Sequence, residues 1–126
     1  MMPLAVLMNR KLASVGADKS LKDAAVKMVE EQVGALLVER GGEFVGILSE
    51  TDIVRRAVAV GIPVESCLVE KVMSSPLITI DIEQSVSQAN ETMSISKIRH
   101  LVVTERGEVA GIISVRDLVL YFKNRL

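Results

Sequence analysis

The chain has 126 residues, room for one compact domain or two small ones sharing a core, and too few for a long multidomain enzyme. Hydrophobic residues make up 49% and aromatic ones 2%, with a mean hydropathy of +0.38, so aliphatic side chains must do the packing and the composition argues against disorder. Fifteen Lys and Arg against sixteen Asp and Glu leave a net charge of −1, which together with the absence of Trp gives no basis for binding nucleic acid or an anionic membrane.

Residues 3–8 are apolar but too short for a secretion signal and have no basic residues ahead of them, so they read as a terminus that docks on the domain. The single cysteine, Cys67, cannot form an intramolecular disulfide, which favours a reducing compartment and makes the cytoplasm the expected location. No segment approaches the ~20 apolar residues of a membrane helix.

The chain repeats itself at an offset of 65. Met8 matches Met73, Ser20 matches Ser85, Ala24 matches Ala89 and Met28 matches Met93; then Gly42, Gly46, Ser49 and Asp52 match Gly107, Gly111, Ser114 and Asp117 without a gap. Two repeats, 1–62 and 63–126, follow from this duplication. Neither is large enough to stand easily alone, so the halves are expected to bury apolar faces against each other as a pseudo-twofold pair.

Residues 12–15 and 77–80 alternate as short strands do. Ser20 with Asp23, and Ser85 with Gln88, read as capping boxes that open amphipathic helices, the first with Leu21, Ala24, Ala25, Met28 and Val29 as its apolar positions. Apolar runs at 35–38 and 101–103 lead through Gly41-Gly42 and Arg106-Gly107 into strands 43–48 and 108–113, the pattern of hairpins. Ser49 and Ser114 each precede an acid by three residues and cap a last helix. Between the repeats, 64–73 predicts a short helix with Val69 and Val72 inward. The order is β-α-β-β-α twice, an α/β (α+β) fold.

This duplicated order, with Gly46-Ile-Leu-Ser-Glu-Thr-Asp52 and Gly111-Ile-Ile-Ser-Val-Arg-Asp117 at the start of each last helix, resembles the cystathionine-β-synthase-type (CBS) domain pair, or Bateman module. The resemblance covers nearly the whole chain and implies a stand-alone regulatory module. It implies that adenosine ligands such as AMP, ADP, ATP or S-adenosylmethionine bind in clefts between the repeats, with no catalytic cofactor. An enzyme or transporter partner and a homodimer formed through the last helices, in an orientation left open, are also implied. By the family's pattern one pocket uses Ser114, Arg116 and Asp117 with Met8, Ala13, Val33 and Gly34, and the other uses Ser49, Thr51 and Asp52 with Met73, Ile78 and Ile98. Arg99 and His100 then stand beside a phosphate in the first of these.

The residues themselves leave two readings open. A carboxylate suits a pair of ribose hydroxyls, and a helix start with a Ser hydroxyl offers donors to an anion. Equally, Ser49 and Ser114 serve as N-caps and Asp52 and Asp117 complete capping boxes. Gly34, Ala35 and Thr51 stand where the second repeat has Arg99, His100 and Arg116, so phosphate preference is expected at Asp117. Arg55 and Arg56, one turn further into the helix, would partly compensate at Asp52 if they turned towards it, but they read first as a solvated helix face. The lone His100 is a poor metal ligand, Met8 and Met73 read as core filler, and no nucleophile with a base and no phosphate-cradling loop is visible, so no enzyme activity is expected. A structural or adaptor dimerisation module without a ligand is the alternative function.

Overall fold

The computed structural model describes residues 2–124, which build two three-stranded sheets. In the first, β1 (Ser14–Gly16) runs parallel to β2 (Ala35–Arg40), which pairs antiparallel with β3 (Glu43–Ser49). The parallel pairing needs a crossover, and helix α2 (Leu21–Glu31) supplies it. Ser20 opens that helix, its Oγ accepting the Asp23 N–H at 3.0 Å. Leu21, Ala24 and Met28 are buried, whereas Val26 and Val29 are exposed, so the inward stripe is narrower than the run of apolar positions. The hairpin turns at Gly41 and Gly42, with φ of 61° and 81°, the left-handed pair that matches strand twist in a two-residue turn. After β3 come α3 (Glu50–Ile53), a π-helical turn (Val54–Val58) and, further on, a 3-10 turn (Val69–Lys71). Val69 and Val72 are buried, as the sequence predicts.

The second sheet repeats this with β4 (Thr79–Asp81), α4 (Val86–Ser96), β5 (His100–Glu105) and β6 (Glu108–Ser114), followed by α5 (Val115–Asn124). Here the box that opens the crossover helix is reciprocal: Gln88 N–H donates to Ser85 Oγ at 3.1 Å, and Ser85 N–H donates to Gln88 Oε1 at 3.0 Å. The first strands lie two residues further along than alternation alone places them. Their extent is set by the ladder to β2 and β5, which pairs Ser14 with Leu37 and Thr79 with Val102. Both β2 and β5 are buried on both faces over several residues and read as continuous apolar runs.

The chain divides into two compact units: residues 13–77, the first unit, and residues 2–12 together with 78–124, the second. Each has its own apolar cluster, one around Leu21, Leu36, Val38, Leu48 and Val69, the other around Leu4, Leu101, Val103, Ile113 and Leu118. These units cut the chain elsewhere than the duplication does. Residues 73–74 lie on β3 of the first unit, Met73 and Ser74 against Gly46 and Ser74 exchanging backbone hydrogen bonds with Ile47 at 2.8 and 3.0 Å. Their counterparts 65 positions earlier lie on β6 of the second unit, where α1 (Leu4–Leu7) buries Leu4, and Asn9 exchanges bonds with Ile112 at 2.8 and 3.0 Å.

Candidate functional site

In each unit the motif sits where the last strand turns into the last helix. Its glycine has a steric cause: a Cβ on Gly46 would stand 2.7 Å from the Ser74 carbonyl oxygen and 2.8 Å from Met73 Sδ, and one on Gly111 would stand 2.9 Å from the Asn9 carbonyl oxygen and 2.8 Å from Met8 Sδ. The glycine therefore lets the preceding segment, a strap of backbone, lie directly on the strand. Three residues on, the serine ends the strand and caps the helix.

In the second unit, Asp117 N–H donates to Ser114 Oγ at 3.2 Å, while Ser114 donates to Asp117 Oδ2 through its N–H at 2.8 Å and its hydroxyl at 3.0 Å. His100 lies opposite Ser114 in the β5–β6 ladder, and the Arg99 carbonyl accepts the Val115 N–H at 2.9 Å. Arg99 and Arg116 are exposed, and His100, Ser114 and Asp117 are half-buried. The fold thus brings Arg99, His100, Ser114, Arg116 and Asp117 to one strand–helix junction, with buried Met8 three residues back along the motif at Gly111. Eight Lys and Arg against six Asp and Glu in residues 1–12 and 78–126 of the sequence give this part of the chain a formal charge of +2.

The first unit assembles Ser49, Thr51, Asp52 and Met73 in the same way. Asp52 N–H donates to Ser49 Oγ at 3.1 Å, Ser49 N–H donates to Asp52 Oδ2 at 2.9 Å, and the Gly34 carbonyl accepts the Glu50 N–H at 3.0 Å. Seven Lys and Arg against ten Asp and Glu leave this unit at −3. Arg56 is exposed, as a solvated helix face would be, yet it is also engaged: its Nη1 donates to the carbonyls of Val72 at 3.1 Å and Met73 at 3.3 Å, and its Nε lies 3.8 Å from Asp52 Oδ1. Ser74 Oγ donates to the same carboxylate, 3.3 Å from Oδ1. Sequence reasoning names Arg56 only for its charge and leaves Ser74 unmarked. The available signal is a break in the repeat, since the positions matching Arg56 and Ser74 are Tyr121 and Asn9.

The remaining candidates have other local settings. Ala13 is buried in the first unit's cluster, its carbonyl accepting the Leu37 N–H, and Val33 follows the left-handed Gln32 that ends α2. Ile78 and Ile98 belong to the second unit. Ile78 is exposed, and Ile98 lines an apolar groove of about 260 Å³ with Met93, Leu118, Val119 and Phe122. Among the described residues no group of three His, Cys, Asp or Glu could hold a metal ion, and no helix is long and apolar enough to cross a membrane.

A family model described as the CBS domain matches residues 5–59 and again 69–124. The CBS domain-containing protein CBSCBSPB5 of Arabidopsis thaliana is 33% identical over 108 residues, which is 85% of this chain and 20% of that protein. The chain therefore spans about a fifth of that relative's length. A crystal structure of an uncharacterized conserved protein from Pyrococcus horikoshii superposes with a TM-score of 0.90 at 32% identity, over 98% of this chain and 94% of that one. The hexameric CBS-CP12 protein from bloom-forming cyanobacteria superposes with a TM-score of 0.86 at 26% identity, over 94% of this chain and 70% of that one.

Proposed function

This chain belongs to the CBS domain family, and on that premise we propose that it is a regulatory module whose Asp117 junction binds an adenosine nucleotide, AMP, ADP or ATP, or a related adenosyl ligand. Occupancy is passed to a partner protein, an enzyme or a transporter. CBS domain pairs are typically regulatory modules, which sets the class. The observation that carries the ligand is the convergence of Arg99, His100 and Arg116 on the Ser114–Asp117 box. A carboxylate there can accept two ribose hydroxyls, and two exposed guanidiniums suit the phosphate of the same molecule.

The test is calorimetric titration of the full chain with AMP and adenosine, alongside thermal shifts with guanosine controls. Ligand at about 100 times its dissociation constant should stabilise the fold by roughly 2.7 kcal/mol. Asp117→Ala should weaken both ligands, and Arg99→Ala or Arg116→Ala should weaken AMP far more than adenosine. Equal losses for the two ligands would remove the phosphate assignment.

A second reading, an adaptor without a ligand, draws on the capping boxes, which already give both Asp carboxylates a structural task. Val54, Val58, Val119 and Leu120 on the last helices are exposed by about half or more, and this supports a homodimer under either reading. Sedimentation of the free chain measures that state.

A further inference from the structure

Two junctions built from the same motif differ in how much of the aspartate the chain itself consumes. Asp117 has Ser114 as its sole hydrogen-bond partner among the described residues. Asp52 has hydrogen bonds with Ser49 and with the hydroxyl of Ser74 and an ion-pair contact with Arg56 Nε at 3.8 Å, and its side chain is only 12% exposed. The two extra partners also hold the strap: Ser74 is part of it, and Arg56 grips the carbonyls of Val72 and Met73.

We propose that Arg56 and Ser74 form a latch that occupies the Asp52 carboxylate, so that the first unit's junction takes a ligand's ribose only when the latch opens, whereas Asp117 is open from the start. The inference rests on the reading that these carboxylates receive ribose hydroxyls, and deepens it by making one junction conditional. Such an exposed ion pair alone would do little. Here the guanidinium bridges a carboxylate and two carbonyls of one strap, which ties the state of the carboxylate to the position of the strap. Ribose at Asp52 would displace the Ser74 hydroxyl and therefore loosen the pairing of Ser74 with Ile47, which turns occupancy into a movement of residues 72–74. The surrounding charge of −3, with Glu50 and Thr51 where the other junction has Val115 and Arg116, favours a neutral adenosine over a phosphorylated one. If the latch keeps the receptive state at a small fraction, the apparent affinity falls by that fraction.

The experiment uses full-length chain. In an Asp117→Ala background, which leaves only the Asp52 junction, adenosine is titrated before and after adding Ser74→Ala, Arg56→Gln or both, with melts to confirm folding. Opening the latch should tighten adenosine at least tenfold, and a further Asp52→Ala should abolish the gain. In parallel, Ser74→Ala or Arg56→Gln without ligand should speed hydrogen exchange at the Ile47 and Ser74 amides. Full-strength adenosine binding at Asp52 with the latch intact, or exchange unchanged in the latch variants, would overturn the proposal. A wild-type chain that binds no adenosine ligand while exchange still responds would instead sink the ligand reading, and the gating with it, leaving a purely structural clasp.

Discussion

At Gly111 the demand is for space. An added methyl would press on the backbone oxygen of Asn9, which cannot swing aside as a side-chain tip can, and on Met8 Sδ, which can. Gly111→Ala should therefore cost about 1 to 3 kcal/mol in urea unfolding, the usual penalty of overpacking. An unchanged midpoint would show that the strap lies further from β6. The serine and aspartate of the motif are read differently from the glycine. Their spacing alone predicts the capping box, and the distances agree with it in both units. Whether the aspartate has a carboxylate oxygen left for a ligand depends on residues outside the motif, Arg56 and Ser74, which no local pattern marks.

Element by element, the pieces that alternation and capping predict are those that hold themselves together: two crossover helices and two hairpins. Helix α1 is different. Four residues cannot sustain a helix in water by propensity, so Leu4–Leu7 is held by tertiary burial, with Leu4 fully buried and Met8 7% exposed. Leu4→Ala should cost about 2 to 5 kcal/mol by the usual large-to-small penalty. Hydrogen exchange should speed at Asn9 and Ile112, whose amides the strap protects. A stability loss below 1 kcal/mol would mean that α1 is an ornament on the second unit. The 3-10 turn Val69–Lys71 is its counterpart in the first unit, and Val69 is equally buried there.

Over the whole chain, the duplication and the compact units have different boundaries, and fragments can tell them apart. Residues 13–77 keep the bonds from Leu21 N–H to the Cys67 carbonyl, from Lys22 N–H to the Val64 carbonyl and from Val69 N–H to the Lys19 carbonyl, as well as the Ile47–Ser74 pair. A fragment of residues 1–62 loses all of them and exposes the cluster that Val69 and Val72 close. Circular dichroism and urea titration should find 13–77 markedly more native-like than 1–62, although the two are of similar length. If 1–62 were at least as stable, the strap would contribute less than its burial implies.

Repetition and short-range signals are legible in the chain before it folds. The offset of 65 carried the duplication, Gly41-Gly42 and Arg106-Gly107 marked the hairpins, and serine followed by an acid or amide three residues on marked the helix starts. Each of these signals acts over a few residues, through backbone dihedrals or a single capping bond. Which strap lies on which sheet, where β1 and β4 begin, and which aspartate is already engaged emerge only in the folded chain. Those outcomes depend on contacts such as Asn9 with Ile112 and Arg56 with Met73, between residues far apart in sequence, where no periodicity records the partner. The last helices show the same division: their starts are legible in Ser49 and Ser114, while the π-helical turn that carries Arg56 towards its strap is not.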